Sequence, residues 1–470
     1  MPLLDVVALV PLALLAAAPW TPADRRRATV LLAAGLVAAA AVVVVVAEGA
    51  RWQRLPLVLA AVVAGAVAAA RLRAAPRGDG RRRRPAWRAV GVVAALGLVA
   101  AGAAAAWAFP VLRLPQPTGP AEVGTTVVEW TDPDRPEPAT DDEGDRRTVV
   151  AQLWYPAAPG AASVDGAERM PYLGRDLQEA SAVAAGIGAQ FGVPAFLLDE
   201  AVRARGGAVV DAAPLDASFP VVLFSPGLAG VRTQATAWAE ELASHGYVVV
   251  ALDHPYDSAA VVLTDGTVVP SRVAASGDDA QDDRNAEAWA AVRAADLTFA
   301  LDQLGRPGTL PDRLDGLPDT SRVALTGHSL GGASALLAAT TDERVDAVVD
   351  VDGFPRGAPA PTQPVLALVA GAGTGSADGD RAYADALDRA LAASAGPTYR
   401  LVVPRAGHLS LTDAALFLPP VPMLLGSIDR PDGPRTTAAA TLAFLDATLR
   451  DGDDAVAVLD ALGDLTTTGR

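Results

Sequence analysis

The stretch Val323-Ala324-Leu325-Thr326-Gly327-His328-Ser329-Leu330-Gly331-Gly332 constrains this chain more than any other. It reads G-x-S-x-G, with a short apolar run (Arg322 to Thr326) before it and an alanine-rich helical pattern (Leu330 to Thr340) after it. A strand that turns this sharply into a helix has almost no room two positions either side of the serine, and Gly327 and Gly331 meet that need. The serine hydroxyl then stands out at the carboxyl end of the strand, with the positive end of the helix beneath it. A bare G-x-S-x-G is common by chance in a Gly/Ala-rich chain. The strand before and the helix after are what mark Ser329 as a candidate nucleophile.

The segments around this turn alternate. Apolar runs at Pro220–Ser225, Tyr247–Asp253, Arg322–Thr326, Val345–Val351, Val365–Ala370 and Tyr399–Val403 read as strands. Helical patterns lie between them at Thr233–His245, Asp283–Leu304, Arg381–Ala393 and, last, Thr436–Leu449. Short apolar strands alternating with helices predict an α/β fold with a mostly parallel sheet covered on both faces. Sites in such sheets lie at the carboxyl ends of strands. A catalytic domain is therefore expected over 123–450, with residues 166–215 inserted as a possible lid. Asp132 to Asp145 reads as a polar turn region between strands, and 451–470 as an acidic tail with no assigned role.

Residues 1–112 differ in kind. Residues 1–118 carry 14 Arg against four acids, whereas 119–470 carry 24 Arg against 50 acids. Apolar runs at 3–18, 28–47, 55–70 and 89–109 lack the polar face of a water-exposed helix, and Trp20, Trp52, Trp87 and Trp107 sit near their ends. About four transmembrane helices are expected, because roughly 20 apolar residues cross a bilayer core. The arginine-rich loop Arg71 to Arg88 belongs on the cytoplasmic side by the positive-inside rule. That places the C-terminal part outside, as a multi-pass cell-membrane protein with an extracytoplasmic catalytic domain. The proline-rich stretch 113–122 is expected to be an extended linker. The acidic C-terminal part argues against a nucleic-acid partner.

The chain contains no Cys and four His, so thiol catalysis is excluded and the base of a serine nucleophile has few candidates. His328 adjoins the serine and is expected to point elsewhere on the turn. His245 precedes Gly246 at a helix end and is expected to cap it. His254, after a strand, is a pocket-lining candidate. Only His408, in Ala406-Gly407-His408-Leu409-Ser410, fits the chain order serine, acid, histidine. The acid that orients it is expected at the carboxyl end of a following strand, where both Asp352 and Asp378 (with its neighbour Asp380) stand; Asp350 shares a side with Asp352 by the two-residue period. One oxyanion donor is expected at the N–H of Leu330 and the other at Leu228, since Pro226 has none. This chemistry requires no metal or organic cofactor.

Several stretches together resemble the platelet-activating-factor acetylhydrolase type of α/β-hydrolase, the lipoprotein-associated phospholipase A2 group and its bacterial relatives. They are Leu153-Trp154-Tyr155-Pro156, Phe219 to Thr233, Leu242 to Ala259, Gly327 to Gly332, Asp352 to Pro355, His408, Ile428-Asp429 and Leu442 to Leu449. Pro226 stands where that family's block has His, and the N-terminal part is absent from the animal enzymes. The resemblance implies an α/β-hydrolase fold, favours Asp352 as the acid by position, and implies a small-molecule ester or phospholipid substrate, with membrane lipids met through the N-terminal spans. The expectation is a membrane-anchored serine ester hydrolase. A cutinase-like polyester or general esterase, an acyltransferase on the same fold, and a non-catalytic membrane-displayed binding module are the alternatives.

Overall fold

The computed structural model describes residues 51–73, 86–373, 375–450 and 452–469, with Ala28 and Leu32. Contacts divide the chain into two units, Met1–Val111 and Leu112–Arg470. In the first unit, α1 (Leu55–Arg73) and α2 (Ala86–Ala108) occupy the third and fourth apolar runs. Trp52 meets Phe109 edge-on at 5.1 Å, and Gln53 Nε2 donates to the Phe109 carbonyl at 3.2 Å. The runs at 3–18 and 28–47 lie outside the described residues, apart from Ala28 and Leu32. Among the described residues no helix is long and apolar enough to cross a membrane, so the expected transmembrane region finds no support there.

Beside a separate hairpin of β6 (Ala260–Val262) and β7 (Val268–Pro270), the second unit is built on one sheet of ten strands, ordered β12-β11-β10-β9-β8-β4-β5-β2-β1-β3 with β12 spanning Asp464–Thr468. Its parallel centre is β5 (Val248–Asp253), β4 (Phe219–Ser225), β8 (Pro318–His328), β9 (Ala347–Val351), β10 (Val365–Ala370) and β11 (Thr398–Val403). On the β5 side β2 (Arg146–Ala157) pairs antiparallel with both β5 and β1 (Glu122–Pro136), and the two-residue β3 (Val209–Val210) lies beyond β1.

Both faces of the centre are buried, which is why its strands read as unbroken apolar runs. Alternate residues serve opposite faces. Val221, Leu223, Val323 and Leu325 face one core with α5 (Asp279–Leu304), α6 (Leu330–Thr341) and α7 (Ala377–Ala393). Val222, Phe224, Ala324 and Val349 face the other, with α4 (Thr236–Ser244) and α8 (Asp432–Leu449). Burying each Val or Leu side chain fully contributes about 1.5–3 kcal/mol. Every strand expected from alternation is present, with ends shifted by a few residues.

Three expectations change. The stretch 113–122 is no free spacer. Leu112 and Leu114 pack with Tyr172 and Leu173. The N–H groups of Thr118, Gly119 and Ala121 then bond Glu241, Ser244 Oγ and the Ser244 carbonyl at the end of α4. The tail is structural too: α9 (Val456–Leu462) leads into β12 (Asp464–Thr468), which pairs antiparallel with β11. Its acidic loops hid a strand whose alternate residues Leu465 and Thr467 are partly covered. The polar turn is narrower than 132–145, because β1 continues to Pro136 while Trp130 Nε1 donates to the Thr309 carbonyl at 3.0 Å.

The insertion is anchored through its helix α3 (Leu177–Phe191). Asp176 caps it, accepting the N–H groups of Gln178 and Glu179. Ala180, Val183 and Ala184 bury one face against Tyr172, Leu198 and Leu416. Glu179 sits between Arg175 and Arg232, at 2.6 and 2.7 Å, and Arg232 also pairs with Asp253 at the end of β5. All three partners in the Glu179–Arg232–Asp253 set are buried.

Candidate active site

The turn from β8 into α6 has the geometry its sequence requires. Ser329 takes φ 55° and ψ −122°, a strained conformation for a residue with a side chain, and its N–H is held by the Val351 carbonyl at 2.9 Å. A Cβ on Gly327 would lie 2.2 Å from the Gly331 backbone, and one on Gly331 would lie 2.0 Å from the Ser225 carbonyl oxygen. Neither position admits another residue without moving the turn. The Leu330 N–H opens α6 and has no partner within it.

His408 follows β11 on a short 3-10 turn, His408–Leu411. Its Nδ1 lies 2.7 Å from Asp352 Oδ2, and its side chain is 40% exposed, so the ring is reachable from solvent while the acid is mostly covered. Asp352 follows β9 with φ 54°. Its N–H donates to the Leu368 carbonyl and its Oδ1 accepts the Ala370 N–H at 2.8 Å. Both carboxylate oxygens are thus committed, one to the backbone and one to His408. That leaves His408 Nε2 as the nitrogen available to a serine. Asp378 is not brought to the site; it lies in the first turn of α7, 90% exposed and paired with Arg381. Asp350 is fully buried, its Oδ1 accepting the Gly353 N–H at 2.9 Å; burial and then the neighbouring Asp352 push it well above the usual carboxylate range. It supports the turn after β9.

The loop after β4 lies against the serine: a Cβ on Gly227 would sit 3.4 Å from Ser329 Cβ. Arg293, on α5, is fully buried beneath it. It donates to the carbonyls of Pro226 and, at 3.0 Å, Gly227, and is paired with Asp257 at 2.6 Å. In a trans peptide the N–H points opposite the carbonyl. Clamping the Gly227 carbonyl into the core therefore aims the Leu228 N–H away from it, and Leu228 itself is 40% exposed. Sequence reasoning missed Arg293; the signal was a lone arginine in the alanine-rich run Ala290 to Ala295.

His254 does not line a pocket. It belongs to a second serine–histidine–aspartate array, with Nε2 2.9 Å from Ser225 Oγ and Nδ1 2.8 Å from Asp296 Oδ2. All three residues are fully buried. Burial lowers His254, keeping it neutral. Burial alone would raise Asp296, but Arg147 at 2.6 Å outweighs it and holds the carboxylate ionised. Substrate has no path to this serine, and the array braces the end of β4. His245 pairs with Glu241 at 3.2 Å at the end of α4, near its expected place.

Two further buried acids lie close by. Asp413, five residues after His408, accepts the Ala237 N–H at 3.1 Å, and Glu240 accepts those of Gly207 and Ala208 at 2.7 and 3.0 Å. Burial pushes Asp413 up to about 8 and Glu240 up to about 7. A carboxyl raised on folding contributes stability that is full below its unfolded value and is lost as pH rises through its folded value. Stability is therefore expected to fall between about pH 4 and pH 8 on account of these two groups. Denaturant titrations at pH 5, 6, 7 and 8 on Asp413→Asn and Glu240→Gln should show a flatter decline than in the parent; an unchanged slope would exclude this origin.

Comparison with known proteins follows the same line. A family profile described as platelet-activating factor acetylhydrolase, isoform II, matches residues 108–276, and one described as the dienelactone hydrolase family matches 208–381. Each covers less than half of the chain, and the two together end before His408. The chain is similar to a probable 1-alkyl-2-acetylglycerophosphocholine esterase of Arthroderma benhamiae, 26% identical over 244 residues, 51% of this chain and 58% of that one. It is 28% identical over 157 residues to the platelet-activating factor acetylhydrolase of Bos taurus, 29% of this chain and 35% of that one. The match thus spans little more than half of the fungal relative and about a third of the bovine one. Among solved structures, a ferulic acid esterase from Streptomyces cinnamoneus superposes with a TM-score of 0.62 at 28% identity, covering 76% of this chain and 100% of that one. The fold is thus of the α/β-hydrolase type, and the relatives carry the names of carboxylic-ester hydrolases.

Proposed function

We propose that this chain is a serine carboxylic-ester hydrolase in which Ser329 is the nucleophile, His408 the general base and acid, and Asp352 the residue that orients His408. The observation that carries the reading is the 2.7 Å contact of His408 Nδ1 with Asp352, at the same end of the sheet as the strained Ser329 turn. Ser329 Oγ attacks the ester carbonyl as His408 Nε2 takes its proton. The resulting oxyanion is held by the Leu228 and Leu330 N–H groups, each contributing about 10²–10³ in rate. His408 returns the proton to the leaving alcohol, and water releases the acyl group by the same route in reverse.

The substrates in this reading are lipid or short-acyl esters, including an acetylated glycerophospholipid, as the fungal and bovine relatives' names suggest. The apolar runs of residues 1–112 serve as a membrane anchor that keeps the catalytic unit near lipid on the extracytoplasmic side. A second substrate reading, aryl esters of the ferulate kind, is favoured by the Streptomyces esterase being covered over its whole length. Hydrolysis rates of the full chain on acetyl phospholipid, p-nitrophenyl esters of increasing acyl length and a feruloyl ester separate the two. Preference for the acetyl phospholipid supports the first and preference for the feruloyl ester the second; no turnover of any ester, and no labelling by a fluorophosphonate, overturns both. Within the same assay Asp352→Asn is expected to lower kcat by about 10⁴. Asp378→Asn is expected to leave it unchanged.

A further inference from the structure

His328 and Gln234 join the oxyanion loop to the histidine loop through bonds whose polarity allows one assignment. The Gly227 N–H donates to Gln234 Oε1 at 2.9 Å, so the amide nitrogen of Gln234 faces the other way. There it lies 3.2 Å from His328 Nδ1. The opposite ring nitrogen, Nε2, lies 3.0 Å from the His408 carbonyl, which can only accept. Nε2 therefore carries the proton, Nδ1 is a lone-pair acceptor, and Gln234 donates to it. Burial pushes His328 down to about 3, in keeping with a ring that stays neutral. The His328 and His408 rings also meet at a tilt of 40°, centroids 4.5 Å apart. Gln234 is tied to the same loop by its backbone, since its carbonyl accepts the Asp413 N–H at 3.1 Å.

We propose that Gln234 and His328 are positioning residues, a hydrogen-bonded strut running from the Gly227 N–H to the His408 carbonyl that sets the spacing between the oxyanion donor Leu228 and the base. The strut passes beside the nucleophile, because His328 is its chain neighbour. Arg293 fixes the oxyanion loop from the core side, and the strut fixes it from the site side. Neither Gln234 nor His328 touches the reacting atoms. The inference rests on the ester-hydrolase reading for its kinetic consequence, though not for its bonding pattern.

The test has a spectroscopic and a kinetic arm, both on the full chain. With four histidines, nitrogen NMR of histidine-labelled protein resolves each ring. In the parent, His328 is expected as the Nε2–H tautomer with Nδ1 unprotonated from pH 5 to pH 8. Gln234→Glu keeps an acceptor for the Gly227 N–H but faces Nδ1 with an oxygen, so His328 should take up a proton at higher pH than in the parent. Gln234→Leu removes both bonds. It is expected to slow acylation by p-nitrophenyl acetate about 10- to 100-fold, the scale of a misplaced rather than absent donor. The pH profile of the rate should match the parent's. A parent His328 protonated on Nδ1, an unchanged titration in Gln234→Glu, or a folded Gln234→Leu that acylates as fast as the parent would each overturn the strut. An inactive parent with the expected tautomer would instead count against the ester-hydrolase reading and leave the bonding pattern standing.

Discussion

Ser329→Ala is expected to lower kcat for ester hydrolysis by about 10⁶ and to abolish fluorophosphonate labelling, since removing the nucleophile of a working triad leaves only binding and the oxyanion donors. The informative control is Ser225→Ala. Ser225, like Ser329, lies at a strand end; it is hydrogen-bonded in order to a histidine and an aspartate, yet it is fully buried. Its loss leaves the His254 Nε2 lone pair without a donor and should cost about 1–3 kcal/mol of stability. Labelling should remain one per chain in folded Ser225→Ala. Labelling that survives Ser329→Ala and vanishes in Ser225→Ala would reverse the assignment of the two arrays.

Arg232→Met is expected to cost about 3–5 kcal/mol, because it strands the buried Asp253 carboxylate and leaves Glu179 with Arg175 alone. Glu179 and Asp253 both face the guanidinium, which also receives no help from solvent at 2% exposure. At Glu179 the Arg232 charge, with hydrogen bonds from Arg175 and Arg232, outweighs burial and holds the carboxyl below its ordinary value, whereas burial raises Asp253 in spite of Arg232. Removing the cation leaves Asp253 without a counter-charge and favours its protonation. Equilibrium unfolding in urea measures the loss, and a change under about 1 kcal/mol would mean that the insertion is not fastened to β5 through this residue. The same substitution should loosen α3 and so raise protease sensitivity near Phe191, while the distant pair Arg322–Asp319 gives no such effect.

The sequence carried the local features of the site well. Gly327, Ser329 and Gly331 lie within one turn, so the sterics of the elbow are written in adjacent positions. His408 emerged from having few histidines to choose from and from chain order, and Asp352 from standing just past an apolar strand, with the family resemblance favouring it over Asp378. What stayed hidden is long-range polar pairing. His254 looked like a lining residue because nothing near it in the chain announces Asp296, 42 positions away. Arg293 likewise acts on the carbonyls of Pro226 and Gly227, 67 and 66 positions away, and Gln234 on the His328 ring, 94 positions away. The C-terminal strand was missed for a related reason: Asp464 to Thr468 has little hydrophobicity, and its pairing is decided by the open edge of β11. Proline content at 113–122 signals extended backbone correctly, but says nothing about whether that backbone is bound.

That last strand has a consequence for handling the protein. β12 works as a hem. Its residues are polar and alternately exposed, so as the outermost strand it offers a poor template to another molecule. Clipping the chain after Leu449 would strip the hem and bare the backbone of β11, with Tyr399, Leu401 and Val403 along it. A shortened protein should then stick to itself strand to strand, and turbidity in an otherwise active preparation would trace to the lost final 21 residues rather than to any fault at the serine.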